Sequence, residues 1–475
     1  KAAREAVALF DMTSFAKMLV QGCDAASELQ RLCANNIDVP VGQTVYTGLL
    51  NKRGGYESDV TIARLAADQF LFVTGTAQAT RDMELLKRAL KSDANVTLTD
   101  VTAFKGTVAD FSGNARIVID PQDPLLASFG NQPTEAQLSE IVQKDKGGDV
   151  RGNFIEKAGV LWPADFHTWN MATLYWNLEQ ASLYWNDVYG IASTAALTDA
   201  KVMYWASYQD LNVSKEEVAD NALFFSLVPA FVVLPFDEPV SLQKVPFSLN
   251  LGVMAHEYAH WVFNRRAFGS ALLPAAANPT WWPNGFNVVK AMDEGFADFH
   301  GYSVTCRTVG GCRPSFLSVS LEDQNLAASR DISNPGRCID AGLRAAILTQ
   351  TASQFLGSGN QYRLGTLIAT SLFQASLQAG NKQDLMQKAL FDSYDDERPG
   401  TPGFRQLFSQ YATNPQGFTP ELMANTILSH ITDPELKRLT CNQLLDRLAL
   451  ECAAPPCTNL PACPTTSSKG TAGCL

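Results

Sequence analysis

The stretch from Val253 to Trp261 constrains this chain more than any other, because it reads V-M-A-H-E-Y-A-H-W. Residues 248–266 are rich in apolar side chains and contain no proline, and this pattern predicts a helix. On a helix, His256 and His260 lie one turn apart on the same face, close enough for both imidazoles to bind one metal ion. Glu257 flanks them, where its carboxylate can take a proton from a metal-bound water. The stretch therefore predicts a Zn²⁺ site inside a domain.

A third ligand is needed, because catalytic zinc usually takes three protein ligands and keeps one position open. The segment from 288 to 306 contains Glu294 and Asp298, which are four residues apart and share a helical face. If Glu294 binds the metal, Asp298 can accept a hydrogen bond from the free ring N–H of a histidine and fix its tautomer. Asp293 and His300 are the alternative ligands in the same segment.

Length and charge limit the class of protein. A chain of 475 residues favours two or three domains. The net charge of −11 argues against nucleic acid or an anionic membrane as partner. No apolar run approaches the roughly 18 residues that span a bilayer. Residues 1–20 show an amphipathic helix pattern and not a signal peptide, so we expect any leader to have been removed.

The ten cysteines predict an oxidising compartment, because their number is even and their spacings do not match a metal-binding C-x-x-C pattern. Cys23 and Cys33 are expected to form a local pair. The others form a middle group and a tail group: Cys306, Cys312 and Cys338, then Cys441, Cys452, Cys457, Cys463 and Cys474. At least one bridge should join these groups, and we expect a secreted, periplasmic or cell-surface protein. The alternative is a cytosolic enzyme with reduced, buried cysteines.

The order of patterns along the chain predicts five parts. They are an accessory or pro-region-like domain at 1–130, a linker at 131–160, a zinc-binding catalytic subdomain at 161–335, a helical subdomain at 336–452 and a Cys/Pro-rich tail at 453–475. In the first part, helices are expected at 1–20, 25–34 and 80–92, and strands at 95–102 and 114–119. Helical patterns in the fourth part cover 341–355, 364–378, 382–394, 402–411, 420–430 and 434–450.

The pair of motifs H-E-Y-A-H and E-G-F-A-D resembles the gluzincin clan of zinc metallopeptidases, and more narrowly its thermolysin-like branch. Two further motifs precede the zinc helix in the same order, N-D-V-Y-G at 186–190 and D-N-A at 220–222. The resemblance covers roughly residues 165 to 400. It implies an α+β fold with a zincin-like catalytic domain containing a mixed sheet and zinc helices. A mainly helical lobe follows, and an α/β accessory domain precedes.

The resemblance also implies roles for individual residues. Zinc would be bound by His256, His260 and Glu294, with Glu257 as the base and Asp298 supporting a histidine. The backbone of the substrate would contact Asn221 and Ala222 on an edge strand. A donor to the oxyanion is expected at the start of a downstream helix, where Tyr362 is the first candidate. The weaker candidates are Arg363, His430 and Tyr394.

The chain departs from the pattern of the clan in three ways. The interval between His260 and Glu294 is longer than in the close family and contains Trp281-Trp282-Pro283. The glycine-rich segment that usually precedes the third ligand is unclear. A G-x-M-E-N signature is absent from the sequence, which argues against exopeptidase action on a free amine.

The sequence therefore predicts a zinc-dependent endopeptidase that hydrolyses extended polypeptides through a metal-activated water. Two alternatives stay open. One is an inactive gluzincin-like protein that serves as a binding or surface module, although the intact Glu257 counts against it. The other is a zinc hydrolase that acts on a non-peptide substrate. An edge strand at 221–234 would favour peptides.

Overall fold

The structure is a computed structural model of the chain. It describes residues 15–91, 93–101, 103–106, 108–125, 135–157, 160–189, 200–211, 217–237, 245–269, 283–308, 324–395, 401–413 and 418–448. The chain divides into two compact units. The first comprises Lys1–Ser112, Asp149–Tyr175 and Ile191–Lys201, and the second comprises Gly113–Gly148, Trp176–Gly190 and Val202–Leu475. None of the described helices is long and apolar enough to cross a membrane. The five domain boundaries expected from the sequence stay predictions.

The described strands are β1 (Ala16–Gln21), β2 (Thr44–Leu50), β3 (Tyr56–Ala66), β4 (Gln69–Thr74), β5 (Thr97–Asp100), β6 (Lys105–Gly106), β7 (Ala109–Gly113), β8 (Arg116–Ile119), β9 (Gln143–Asp145), β10 (Gly148–Asp149), β11 (Phe154–Lys157), β12 (Val160–Pro163), β13 (Ala200–Tyr204), β14 (Ser207–Asp210), β15 (Ala222–Phe225) and β16 (Ala230–Val233).

The described helices are α1 (Ala25–Gln30), α2 (Ala79–Ala89), α3 (Glu135–Val142), α4 (Phe166–Tyr189), α5 (Leu251–Phe263), α6 (Pro283–Thr308), α7 (Gln324–Ser329), α8 (Ala341–Thr349), α9 (Ala352–Gly357), α10 (Asn360–Gln378), α11 (Gln383–Asp395), α12 (Phe404–Thr413), α13 (Pro420–His430) and α14 (Pro434–Leu448). Short 3₁₀ turns occur at Thr76–Gln78 and Phe247–Leu249, and a π-helical turn at Asn264–Phe268 continues α5.

The first unit is built on an antiparallel sheet in the order β7-β6-β5-β1-β4-β3-β2. Alternate residues of the strands are buried, as in Met18 and Val20 of β1 and Phe70 and Phe72 of β4. Helices α1 and α2 add Leu29 and other apolar side chains to the same core. One sheet face and two helices therefore enclose the hydrophobic core of this unit.

Two predictions for this region are wrong. Residues 16–20 of the expected N-terminal helix lie in β1, because their burial alternates with a period of two, and the rest of that helix lies outside the described residues. The expected α/β accessory domain is also wrong. The strands of an α/β domain pair in parallel through long crossovers, whereas the described pairings among β1–β7 are antiparallel.

The second unit contains short strands and most of the described helices. Strands β15 and β16 form an antiparallel hairpin, with Ala222 opposite Val233, and β15 lies at the end of its sheet. Strand β8 pairs in parallel with β14 and antiparallel with β9, so these three strands form a mixed sheet. The edge strand expected at 221–234 is therefore only partly confirmed, because this segment forms a hairpin in which only β15 lies at the end of the sheet.

Helices α5, α6 and α10 form the centre of the second unit. The contact between α6 and α10 is close, because a Cβ atom added to Gly295 would lie 2.5 Å from the carbonyl oxygen of Gly365. The helices expected in residues 341–450 are present as α8 to α14. Side chains of α5, including Met254 and Val262, are fully buried.

The cysteines follow the prediction only in part. Cys23 and Cys33 are both free, so the expected local pair is wrong. Cys33 is buried in the core of the first unit beside Leu49, whereas Cys23 is exposed in a turn. Cys306 and Cys338 are disulfide-bonded. The tail cysteines from 452 onward lie outside the described residues.

Candidate functional site

Helix α5 carries the two central histidines of the site. The side chain of Asn250 caps its first turn by accepting a hydrogen bond from the backbone N–H of Val253 at 3.1 Å. His256 is buried and His260 is half-buried, on one face of the helix as the spacing predicts. Their Nε2 atoms are 3.0 Å apart. The two imidazoles therefore point at a common position.

Helix α6 brings Glu294 to the same position. Its Oε2 atom lies 3.3 Å from Nε2 of His256 and 3.5 Å from Nε2 of His260. The three side chains offer ligand atoms that all lie within 4.8 Å of one another. A tetrahedral ion with bonds of about 2.1 Å has ligand atoms about 3.4 Å apart. The observed separations bracket this value, so the triad has the size of a metal site.

The Oε2 atom of Glu294 gives a second reason to regard the triad as a metal site. It is buried and has no hydrogen-bond partner among the described residues, although Nη2 of Arg330 lies 3.5 Å away as an ion pair. Buried carboxylate oxygens in native proteins almost always have a partner, because leaving one unpaired costs roughly 1–3 kcal/mol or more. An ion between the two imidazoles would supply that partner. The donor set of two imidazoles and one carboxylate is one that divalent transition metals accept.

A carboxylate lies behind each histidine. Asp298 Oδ1 is 3.0 Å from Nδ1 of His256, and Asp293 Oδ1 is 2.6 Å from Nδ1 of His260. Such contacts hold the ring proton on Nδ1 and leave the lone pair of Nε2 free for a ligand. Asp293, the competing ligand, thus supports His260 from behind. Asp298 takes the supporting position that the sequence suggests for it.

A cation stands behind each of these carboxylates. Arg330 donates to Oδ2 of Asp298 from Nε at 3.0 Å and to Oδ1 from Nη2. Lys290 Nζ lies 2.8 Å from Oδ2 of Asp293. The sequence analysis missed both cations. Lys290 could have been found from its i,i+3 spacing to Asp293, whereas Arg330 follows α7 and its role depends on tertiary packing.

The charges of this cluster do not cancel when both imidazoles are neutral. It contains four carboxylates, Glu257, Asp293, Glu294 and Asp298, and two cations, Lys290 and Arg330. With neutral imidazoles the cluster therefore carries two net negative charges. Buried charges are costly unless they are compensated. A divalent cation would supply the missing compensation.

Without a bound ion, the neighbouring carboxylates favour the protonated form of both imidazoles. Burial alone would lower the pKa of His260, but the negative charges of Asp293 and Glu294 outweigh it and raise the pKa well above its usual value. Burial alone would raise the pKa of Glu294, but His260 and His256 hold it well below its usual range. A cation entering the site must therefore displace protons, so its affinity should rise with pH.

Glu257 is half-buried beside the triad. Its Oε2 atom accepts a hydrogen bond from the backbone N–H of Phe224 in β15 at 2.6 Å. Burial raises the pKa of Glu257, and the neighbouring histidines oppose that effect only in part. A carboxylate with a raised pKa beside a metal position takes up a proton more readily than an exposed carboxylate does.

The remaining predicted residues lie in different places. The ring of Tyr362, at the start of α10, covers the Arg330 guanidinium at 4.6 Å, and the negative charge of Glu294 raises the pKa of Tyr362 to about 12. Arg363 pairs with Asp340 at 2.6 Å on the surface. Asn221 directly precedes β15 and is exposed, and its side chain accepts a hydrogen bond from the backbone N–H of Ala222 at 2.9 Å.

Three other candidates lie outside the triad. Nδ1 of His300 is 3.0 Å from the hydroxyl of Tyr184, within a cluster of aromatic rings. Tyr394 packs against Phe263 with ring centroids 5.0 Å apart. His430 is buried near the end of α13, with Nδ1 2.8 Å from the carbonyl oxygen of Thr426. Packing accounts for each of these positions.

The family model that this chain matches covers its N-terminal residues and not the segment that contains the triad. Residues 1–111 match the family model described as the GCVT N-terminal domain. The chain is 43% identical over 115 residues to the mitochondrial pyruvate dehydrogenase phosphatase regulatory subunit of Mus musculus. It is 33% identical over 184 residues to 4-methylaminobutanoate oxidase (formaldehyde-forming) of Paenarthrobacter nicotinovorans. It is 34% identical over 145 residues to the aminomethyltransferase of Thermus thermophilus.

These matches cover part of each protein. They include 24%, 38% and 30% of this chain and 13%, 22% and 38% of the three relatives, in the order given. The chain thus spans well under half the length of the relatives it matches. The family match ends at residue 111, and the triad on α5 and α6 lies beyond it.

The matches overturn the family prediction. The suspected membership of the gluzincin clan is wrong, and so is the zincin-like fold, because the family model that matches, over residues 1–111, is the GCVT N-terminal domain. The predicted zinc-dependent endopeptidase is wrong, and so are its metallopeptidase class and protease keywords, since the relatives are named as aminomethyltransferase and amine-oxidising enzymes. The two alternatives, an inactive gluzincin-like protein and a zinc hydrolase for non-peptide substrates, fail with it.

The predictions for cofactor, partner and location need the same correction. Zinc as cofactor and an extended polypeptide as substrate are contradicted, because the relatives act on other kinds of molecule. The secreted, periplasmic or cell-surface location is contradicted as well, since relatives with this region are named as mitochondrial. The motifs at 256–260 and 294–298 are short, and similarity at a few positions did not identify the family.

Proposed function

We propose that the first unit acts on an aminomethyl group or a folate-type compound. The match of residues 1–111 to the GCVT N-terminal domain carries this proposal. The aminomethyltransferase of Thermus thermophilus supports it, being 34% identical to this chain over 145 residues. Folate-type substrates are used by the related family. Because the chain covers only part of each relative, the activity of the whole protein is part of the proposal.

The exposed face of β2 and β3 offers a place for such a ligand. Tyr46 and Tyr56 are each 63% exposed, and the Tyr46 hydroxyl donates to Oδ2 of Asp59 at 3.0 Å. The Asp59 carboxylate raises the pKa of Tyr46 and keeps its phenol neutral. A flat aromatic amine, such as the pterin of a folate, could stack on the phenol rings and donate N–H groups to the carboxylate.

The test is equilibrium binding of tetrahydrofolate to the full chain, measured by titration calorimetry. Asp59→Asn removes the charge and keeps the shape, so it should weaken binding about 10- to 100-fold, the value of one hydrogen bond to a charged group. Asp38→Asn is the matched control, because Asp38 is also an exposed acid of this unit and pairs with Arg64 instead. Failure of the parent chain to bind tetrahydrofolate would refute the proposal, and equal loss in both variants would refute the assignment to Asp59.

We propose as a second function that His256, His260 and Glu294 bind a divalent cation. The separations of 3.0, 3.3 and 3.5 Å among their ligand atoms carry this proposal. The buried Oε2 of Glu294, which has no hydrogen-bond partner, and the two net negative charges that the cluster carries when both imidazoles are neutral support it. The site residues lie entirely in the second unit, so this proposal does not depend on the first.

The surrounding residues define what the site would do. A bound divalent cation supplies Lewis-acid polarisation of an oxygen atom. Glu257 would take up and return a proton beside it, and the backbone N–H of Phe224 holds its carboxylate in place. The ring of Tyr362 lies over the Arg330 guanidinium, and its hydroxyl could donate to a developing negative charge. Asn221 and Ala222, at the start of β15, are proposed as contacts of a bound ligand.

The test uses Co²⁺, whose visible absorption reports coordination geometry. We expect the full chain to bind one Co²⁺ in competition with a chromophoric chelator, and Glu294→Gln to lose most of that affinity. Glu435→Gln is the control, because Glu435 forms an exposed pair with Arg438 far along the chain in α14. Absence of Co²⁺ binding by the parent, or unchanged binding by Glu294→Gln, would refute the assignment.

A further inference from the structure

We propose that Lys290 is a positioning residue for His260, acting through Asp293. The inference rests on the divalent-cation site proposed above. Lys290 Nζ lies 2.8 Å from Oδ2 of Asp293, and the other oxygen of the same carboxylate lies 2.6 Å from Nδ1 of His260. One carboxylate therefore joins an ammonium group to an imidazole. Each of its oxygens has a separate partner.

The other histidine of the triad has the same arrangement. His256 contacts Asp298, which is held by Arg330 through two donors. Thr366 Oγ1 also donates to Oδ2 of Asp298 at 3.2 Å. A cation, a carboxylate and an imidazole thus follow one another twice, on both sides of the proposed ion. This repetition indicates that Lys290 and Arg330 each help to hold the carboxylate that supports a histidine.

The two cations differ in burial and in geometry. The Arg330 side chain is 9% exposed and holds Asp298 with a planar fork, whereas the Lys290 side chain is 31% exposed and holds Asp293 with a single ammonium. Removing Arg330 would leave the buried charge of Asp298 without its cation, a change expected to disturb the fold itself. Lys290 can be replaced at lower cost to the fold, so its role can be measured.

The physical role of Lys290 is to stop Asp293 from turning. Asp293 directly precedes Glu294 in the chain. Without Lys290, Oδ2 of Asp293 would lose its partner, and the carboxylate could rotate away from Nδ1 of His260 or move its charge toward the ion. With Oδ2 held by Lys290, Oδ1 stays on the ring N–H, and Nε2 keeps its lone pair toward the ion. Lys290 thereby fixes the tautomer and direction of His260 without touching the ion.

A simple charge effect predicts the opposite result, which makes the inference testable. Lys290 carries a positive charge and lies near a proposed cation, so electrostatic repulsion alone would make its removal tighten cation binding. Loss of positioning would weaken binding, because changes to residues behind metal ligands typically cost 10- to 100-fold in affinity. The direction of the change therefore separates the two roles.

The experiment compares three variants of the full chain, Lys290→Met, Lys290→Arg and Lys382→Met. Lys382 is the matched control, because its side chain is 32% exposed and its Nζ pairs with Asp433 at 2.6 Å, away from the triad. The dissociation constant for Co²⁺ is measured by chelator competition, and the visible spectrum of the Co²⁺ complex is recorded. Urea unfolding of each ion-free variant shows whether it is folded.

We expect Lys290→Met to weaken Co²⁺ binding about tenfold or more and to alter the spectrum. Lys290→Arg should restore both, because a guanidinium can still hold Asp293, and Lys382→Met should match the parent chain. Tighter binding by Lys290→Met, or a spectrum and affinity equal to those of Lys382→Met, would overturn the inference while the cation site stands. If the parent chain binds no Co²⁺, the proposed site itself fails.

If Lys290→Met proves unfolded, Lys290→Arg and Asp293→Asn decide the question. The inference then requires Asp293→Asn to weaken Co²⁺ binding and Lys290→Arg to bind as the parent does. Parent-like binding by Asp293→Asn would show that His260 needs no support from this side. That result would overturn the role of Lys290 as well.

Discussion

His300 offers the clearest link between one side chain and the stability of the second unit. It is completely buried among aromatic rings, including Trp185 at a centroid distance of 4.5 Å, and the hydroxyl of Tyr184 lies 3.0 Å from its Nδ1. Burial without a nearby carboxylate lowers the pKa of His300 to about 3. The imidazole is therefore neutral in the folded chain at ordinary pH.

The size of the effect follows from proton linkage. An unfolded histidine has a pKa of about 6.5, so between about pH 6.5 and about pH 3 the unfolded chain binds one more proton here than the folded chain. Because the pKa is lowered on folding, stability is highest above about pH 6.5 and falls as the pH drops. The slope is about 1.4 kcal/mol per pH unit, which gives about 2 kcal/mol between pH 6.5 and pH 5.

The assay is urea unfolding of the parent chain and of His300→Gln at about pH 7 and about pH 5. Glutamine can still bond to Tyr184 but does not titrate. The free energy of unfolding of the parent should fall by about 2 kcal/mol more than that of His300→Gln over this interval. His167→Gln is the control, because His167 is exposed. An equal fall in the parent and in His300→Gln would refute the argument.

Three further predictions concern packing, reactivity and capping. Gly295→Ala should lower the free energy of unfolding by about 1–3 kcal/mol, because the added Cβ would lie 2.5 Å from the carbonyl oxygen of Gly365; urea unfolding measures this. Iodoacetamide should modify the exposed Cys23 of the folded chain and modify Cys33 only after unfolding, because burial raises the pKa of Cys33 to about 12; mass spectrometry of the peptides measures this. Asn250→Ala should cost about 1 kcal/mol of stability in thermal or urea unfolding, because α5 loses its cap.

Each of these three predictions has a control or an outcome that would contradict it. Gly357→Ala controls for the backbone effect of alanine, since no atom lies within 4 Å of its added Cβ, and equal losses in the two glycine variants would contradict the close contact. Rapid labelling of Cys33 in the folded chain would show that its core opens. Asn250→Asp retains an acceptor at the cap, so its stability should stay near that of the parent.

Helical regions were predictable from the sequence because their signals are local. The start of α13 at Pro420 and of α14 at Pro434 coincides with the expected bounds, since proline favours the first turn of a helix. The apolar pattern and absence of proline around His256 likewise predicted α5. The prediction of a helix at residues 16–20 was wrong, because a short alternating segment is ambiguous until its strand partner, β4, is known.

The geometry of the triad was partly predictable, whereas its supports were not. Spacing alone places His256 beside His260 on one helical face. The contact of Arg330 with Asp298 joins residues 32 positions apart and depends on how α7 and α6 pack. The N–H group that Glu257 accepts from belongs to Phe224 in a strand 33 positions earlier. Contacts of this kind leave no periodic trace in a sequence.

The family could not be identified from chemistry-bearing motifs, because the first unit has none that stand out. The features of residues 16–111 are alternating apolar strands and buried polar contacts, such as Asp82 with Ser58 and Thr74. Many unrelated sheets share such features. Recognition of this region depends on the whole succession of residues, which a reading by motif does not weigh.

Helices α5 and α6 contribute different side chains to the site, so the geometry of the triad depends on how the two helices are aligned. Both imidazoles belong to α5, and Glu294 and the two supporting carboxylates belong to α6. Sliding one helix along the other by a single residue, about 1.5 Å, would misplace all three acids together. The alignment of the whole cluster therefore depends on the offset between α5 and α6.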